Sequence, residues 1–181
     1  MTDSKPLDPT YVIASQQSWG ERVFATLSNS PNWYLVRTLD TLRSEIIIRQ
    51  PRYVFFLSWS SRVPSDVLAQ TECVNFHCTA LPYGRGGGPI ENLILRGHSE
   101  TVLTAHRMVD EIDAGPIYGQ RGPISLDGTK EQILERFVCP CIDLIRWLIA
   151  TNPVPRPQVG EVVVFSRLSK DEYEMFWRRR R

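Results

Sequence analysis

The run Tyr53-Val54-Phe55-Phe56-Leu57 carries an apolar side chain at every position. A strand built from it has no face that tolerates water, so it belongs inside a sheet covered on both sides, as parallel strands usually are. Other β-rich runs flank it: Tyr11–Ala14 and Trp33–Val36 before, Cys73–Cys78 after. Amphipathic stretches separate them. Ser18-Trp19-Gly20-Glu21 has capping-box form ahead of Val23, Phe24 and Leu27, residues 39–50 read as helix, and Pro64-Ser65 opens a short helix to Gln70. The alternation predicts an α/β fold: a single Rossmann-like domain with a mainly parallel central sheet flanked by helices. Ligands in such sheets bind beyond the carboxyl ends of the strands.

Further along, Gly84-Arg85-Gly86-Gly87-Gly88-Pro89 leads into a helix to Arg96, followed by strands at Thr101–Met108 and Pro116–Arg121. Thr129-Lys130-Glu131-Gln132 forms a second capping box and opens the longest helix, which Pro140 should kink or break and the Pro-rich segment 153–157 ends. Glu161–Leu168 reads as a last short strand, and the remainder is polar. No repeat or linker divides the chain, so residues 1–181 are expected to form one domain, with a core over about 11–151 and a small C-terminal element over 152–181.

Charge and cysteine usage exclude several classes. Lys and Arg number 21 against 20 Asp and Glu, and without the basic run Arg178–Arg181 the balance is 17 against 20, or −3. Composition therefore forces no nucleic-acid-binding face, and the run reads as a solvated, frayed terminus. No apolar stretch approaches the roughly 18–20 residues needed to cross a bilayer, and MTDSKPLDPT lacks the pattern of a signal peptide. The cysteines (Cys73, Cys78, Cys139, Cys141) read as reduced core fillers, and neither they nor the three histidines show zinc spacing. A cytoplasmic protein with small-molecule partners and no metal, membrane or nucleic acid is expected.

The glycine-rich segment fits neither a dinucleotide fingerprint nor a P-loop, because no Gly-Lys-Ser/Thr follows it. Bare backbone there lets a substrate approach closely. Asn75-Phe76-His77 says more. Residues two apart on a strand share a face, so an amide and an imidazole project together while Phe76 enters the opposite core. Asp113 lies in a turn, Asp110-Glu111-Ile112-Asp113-Ala114-Gly115-Pro116. Taken alone, the Asn–His pair is a structural hydrogen bond or a catalytic pair, and Asp113 is turn chemistry or its partner. His106 and His98 read as a satisfied core histidine and an exposed polar residue.

Taken in order, four segments resemble the folate-dependent formyltransferase family: Asn75-x-His77; Leu81-Pro82 with Arg85-Gly86-Gly87-Gly88-Pro89; Thr104-x-His106; and Ile112-Asp113-Ala114-Gly115-Pro116-Ile117. The resemblance covers about residues 73–121; Cys78-Thr79-Ala80 stands where the family has Pro-Ser-Leu. It implies transfer of a formyl group from N10-formyltetrahydrofolate to an amine, without a metal. Asn75, His77 and Asp113 match the family's catalytic residues. His77 would act as general base, Asn75 would donate to the developing oxyanion, and Asp113 would orient His77 or relay a proton. The pterin would lie near the strand end carrying Phe56 and Trp59, with Leu81, Pro82, Asp110 and Ile112 also contributing.

The segments Phe55–Pro64 and Gly84–Ile94 look most like formyltransferases of nucleotide-linked amino sugars, which feed surface glycans. Arg62 and Arg85, with Gly86 and Gly87, would then meet the acceptor, because guanidinium binds diphosphate bidentately. The alternatives are formylation of another small amine (an amino-acid or hydroxylamine precursor, or glycinamide ribonucleotide) and a non-catalytic binding module. An aminoacyl-tRNA acceptor is not expected, because the added C-terminal domain of the tRNA enzymes is missing. A homodimer through the C-terminal strand region is a further expectation.

Overall fold

The computed structural model describes residues 8–180, so most of the segment read as lacking a signal peptide lies outside the described residues. In chain order the elements are β1 (Tyr11–Ser15), α1 (Ser18–Leu27), β2 (Trp33–Val36), α2 (Leu39–Arg49), β3 (Tyr53–Leu57), α3 (Ser65–Leu68), β4 (Glu72–His77), β5 (Tyr83–Gly86), α4 (Pro89–Leu95), β6 (Glu100–Arg107), β7 (Ile117–Ser125), α5 (Lys130–Arg136), α6 (Val138–Thr151), β8 (Val163–Phe165) and α7 (Lys170–Arg178). A six-stranded sheet runs β2-β1-β3-β4-β6-β7, and β5 pairs with β8 in a separate two-stranded sheet. Strands β2, β1, β3 and β4 are parallel, whereas β6 and β7 are antiparallel additions. The architecture is the expected mainly parallel α/β sheet flanked by helices.

The all-apolar run lies in the middle of this sheet, and its alternation feeds two cores. Tyr53, Phe55 and Leu57 face one core with Trp19 and Val23 of α1 and Leu144 and Leu148 of α6. Val54 and Phe56 face a smaller core with Leu42 and Ile46 of α2 and Val67 of α3. The helices on this second side cover β2, β1 and β3, but α3 has only four residues. No helix therefore seals the face of β4 that carries Asn75 and His77, and loops close it instead.

Several local expectations change. The cap of α1 is Gln17 and makes no side-chain hydrogen bond, so Ser18 is already helical. Thr38, which was not singled out, forms a capping box with Thr41. The box at Thr129 forms as expected with Gln132. The long helix is broken at Phe137, leaving Pro140 in the first turn of α6, where a missing N–H costs little. The end of the chain is not simply polar. Ser169 and Glu172 form a capping box opening α7, and Tyr173, Phe176 and Trp177 pack on the main core. Nor is residue 180 frayed: Arg180 donates to the carbonyls of Leu126 and Gly128. Cys73, Cys78 and Cys141 are buried free thiols, whereas Cys139 is exposed.

The Phe55 ring is fully buried, with ring centroids of Tyr53 and Phe76 at 5.4 and 6.1 Å. Phe55→Ala is expected to lower stability by about 3–5 kcal/mol, the usual cost of emptying such a site. The shift of the urea midpoint, read together with an unchanged slope, measures it.

Candidate active site

β4 pairs with β6 so that Asn75 lies opposite His106 and His77 opposite Thr104. Directly paired residues share a face, so the four side chains form one patch on the uncovered side of the sheet. Phe76 points the other way, into the main core. Thr104 anchors the patch from below, donating to Thr79 O at 2.5 Å and accepting from Gln120 at 2.9 Å.

Asp113 reaches this patch from the loop between β6 and β7. Its Oδ1 accepts Asn75 Nδ2–H at 3.1 Å and lies 3.4 Å from His106 Nε2; its Oδ2 accepts the Gly86 N–H at 2.9 Å and lies 3.5 Å from His77 Nδ1. The Asp113 backbone is left-handed, φ +53°. It is held by Gln158, whose Nε2 donates to the carbonyls of Asp113 and Gly115 at 2.7 and 2.8 Å. Gly86 needs to be glycine. Its φ is +97°, and a Cβ would stand 2.5 Å from Phe165 O.

His77 is 6% exposed, and its Nε2 lies 2.7 Å from Gly84 O. A carbonyl only accepts, so Nε2 carries the proton and a neutral ring leaves its lone pair on Nδ1, facing Asp113. Burial lowers the His77 pKa below its ordinary 6.5, although the Asp113 charge and the Gly84 carbonyl oppose this. Burial alone would raise Asp113, but its contact with the His106 ring, the neighbouring imidazoles and the Gly86 N–H outweigh it and bring its pKa down to about 2. The resting pair is thus a carboxylate beside a neutral imidazole. His106 Nδ1–H donates to Arg107 O, leaving Nε2 to accept from Asn75 at 3.1 Å. Both amide hydrogens of Asn75 are therefore engaged, one by Asp113 and one by His106.

These groups open onto a cleft of about 730 Å³, bounded by the loop after β3, the glycine-rich turn, the segment Met108–Asp113 and the C-terminal segment from Arg167 to Tyr173. Of the residues singled out in the sequence, Trp59, Arg62, Gly86, Gly87, Asp110 and Ile112 line it. Phe56, Leu81 and Pro82 do not. Phe56 is wholly buried and meets the cleft wall only through Trp59, 5.7 Å away edge-on, and Leu81 and Pro82 lie buried ahead of β5. Arg85 does not line it either. Its Nε and Nη2 hold Gln158 Oε1 at 3.0 and 2.8 Å and its Nη1 holds Glu111, so it braces the support of Asp113 rather than facing a ligand.

The sequence reading missed His106 as a site residue, although Thr104-x-His106 shares the two-residue spacing of Asn75-x-His77. It also missed Gln158, Arg167 and Glu91. Arg167 lies over Gly87, where a Cβ would meet its Cγ at 2.1 Å, and reaches Ser60 O at 3.4 Å across the cleft. Neither Arg62 nor Arg167 pairs with a carboxylate among the described residues. The indole Nε1 of Trp59 is sealed from solvent without a partner. Among the described residues no cluster of His, Cys, Asp and Glu is arranged to hold a metal ion, and no helix is long and apolar enough to cross a membrane.

Residues 36–140 match the family described as formyl transferase. A methionyl-tRNA formyltransferase of Lysinibacillus sphaericus is 28% identical over 141 residues, covering 74% of this chain and 45% of that protein. The chain spans about half the length of the curated relatives it matches, 40–47% in the first three. The structure of a methionyl-tRNA formyltransferase from Clostridium thermocellum superposes with a TM-score of 0.85 at 33% identity, covering 91% of this chain and 75% of that one. WlaRD, a sugar 3N-formyltransferase solved with dTDP and 5-N-formyl-tetrahydrofolate, shares the fold with a TM-score of 0.67 at 16% identity, covering 88% and 70%.

The depressed His77 value has a pH consequence. The unfolded chain takes up a proton near pH 6.5 that the native site resists, so stability falls as pH drops below about 6.5. Asp113 acts lower: its contribution is present above its ordinary 3.8 and lost as pH falls toward about 2. Urea midpoints measured between pH 7 and 5 should decline in the wild type and decline less in His77→Gln.

Proposed function

The chain belongs to the formyl transferase family, and on that premise we propose that it moves a formyl group from N10-formyltetrahydrofolate to a primary amine. The observation that carries the reading is the convergence of Asn75, His77 and Asp113 on one cleft, with the lone pair of a buried neutral imidazole facing an ionised carboxylate. Formyl transfer forms one C–N bond, breaks another and moves one proton from the attacking amine to the departing nitrogen. His77 Nδ1 takes that proton, Asp113 at 3.5 Å stabilises the imidazolium, and the imidazolium gives the proton up to N10. Asn75 offers an N–H to the charge developing on the formyl oxygen by releasing its bond to His106.

The residues on one side of the cleft suit a flat heterocycle. Trp59, Val63, Met108, Val109 and Ile112 give it an apolar wall. A folate would supply the activated formyl group there.

For the acceptor, the proposed class is a nucleotide-linked amino sugar. Two guanidinium groups free of carboxylates, Arg62 and Arg167, stand along the cleft and suit a diphosphate. The fold relative WlaRD was solved with dTDP. Arg167 replaces Arg85 in this role. A second reading, an aminoacyl-tRNA acceptor, is supported by the 33% identity to the Clostridium thermocellum enzyme.

Mass spectrometry of dTDP- and UDP-linked amino sugars, and of methionyl-tRNA, after incubation with the protein and N10-formyltetrahydrofolate tests both readings. A gain of one formyl group on one acceptor is expected. His77→Ala should lower turnover at least about 100-fold while folate binding persists. Asp113→Asn should also slow turnover and, by removing the charge that holds the His77 pKa up, move the acid limb of the rate profile to lower pH. Wild-type turnover in His77→Ala would overturn the mechanism.

A further inference from the structure

Glu91 is a buried carboxylate that the chemistry above does not use. It stands in the first turn of α4 and is 6% exposed, with its side chain on the cleft wall beside Gly88 and Tyr173. Its Oε1 accepts the indole N–H of Trp177 at 2.8 Å. Its Oε2 has no hydrogen-bond partner among the described residues and is not sealed from solvent, unlike Trp59 Nε1. A Cβ placed on Gly88 would sit 3.5 Å from Oε2, which locates this oxygen at the glycine-rich rim.

A glutamate this deeply buried is almost always paired with a cation. Glu91 has none among the described residues, and the nearby Arg167 leans away over Gly87 toward Ser60. One neutral indole N–H compensates only part of a carboxylate's lost hydration. The carboxylate is thus held in place by α7, makes no ion pair with a described cation and is open on one oxygen toward the cleft.

We propose that Glu91 is the residue by which the cleft recognises an amine: its Oε2 accepts a hydrogen bond from the cationic nitrogen of the acceptor. The inference rests on the amine-formylating reading and adds the group that selects for nitrogen. Aliphatic amines circulate largely as ammonium ions near neutral pH. An ammonium adds ion-pair attraction to its hydrogen bond with a carboxylate, whereas a hydroxyl in the same place offers the hydrogen bond alone. Sequence reading passed Glu91 over because Pro89-Ile90-Glu91 is an ordinary helix start, where an acidic residue suits the helix dipole.

Binding of matched probes tests this, using a dTDP-linked 4-amino sugar against its 4-hydroxy counterpart and methionyl-tRNA against its α-hydroxyacyl counterpart. In at least one pair the wild type should bind the amine at least about tenfold more tightly, the scale of one charge-assisted bond. Glu91→Gln keeps an oxygen for Trp177 but loses the charge, so it should abolish that preference and leave 5-formyltetrahydrofolate binding unchanged. Trp177→Phe, which frees Oε1, should give an intermediate loss.

Equal binding of amine and hydroxyl in both pairs by the wild type overturns the proposal. So does full preference in Glu91→Gln, and lowered stability there with the preference intact assigns Glu91 a structural role instead. Failure of the wild type to bind 5-formyltetrahydrofolate overturns the underlying formyl-transfer reading, and this inference with it.

Discussion

The carboxylate of Asp113 ties the site together. Its two oxygens collect an N–H from Asn75 on β4, an N–H from Gly86 in the glycine-rich turn, and the flanks of two imidazoles, while its own carbonyl is held by Gln158. Strand pairing already sets Asn75 beside His106, and Asp113 adds the glycine-rich turn and its own loop to that pair. Burial works against the charge, and these contacts outweigh that cost. The left-handed backbone at Asp113 fits the same picture, since strain of this kind persists where the surroundings over-determine a residue.

How much of this was legible in the sequence follows from the range of each interaction. The sheet was readable because Tyr53–Leu57 carries its own burial pattern, and the pairing of Asn75 with His77 was readable because strand parity is local. The bond of Arg85 to Gln158 was not legible because the two are 73 residues apart. His106 looked like a bland core residue for a similar reason: it joins the site through Asn75, 31 residues away. Phe56 was placed near the pterin as part of the strand end that leads to Trp59, and alternation along β3 turns its ring into the second core. The helix α7 was hidden by its polar composition, although the Ser169–Glu172 box and the spacing of Tyr173, Phe176 and Trp177 carried the signal.

The C-terminal segment is better described as part of the site than as an appendage to it. Gln158 supports Asp113, Phe165 sets the space in which Gly84 and Gly86 must remain glycine, Arg167 crosses Gly87, and Trp177 fixes Glu91. Asn92 fastens the two halves, donating to the carbonyls of Gly87, Gly88 and Ser166. The glycine-rich turn is thus clamped from both sides.

The pairing of β4 with β6 carries one more consequence. Side chains on a strand alternate strictly, so slipping β4 by one residue relative to β6 would drive the His77 imidazole into the helical core and leave the Phe76 ring facing the cleft. Thr101 and Thr104 oppose such a slip, because their hydroxyls are bonded to the carbonyls of Cys78 and Thr79 just beyond the strand end. A misregistered chain would lose its chemistry and much of its packing together. Quality control that senses exposed aromatic surface would therefore also remove the inactive molecules, and a folded but inert population of this kind would have no stable form to occupy.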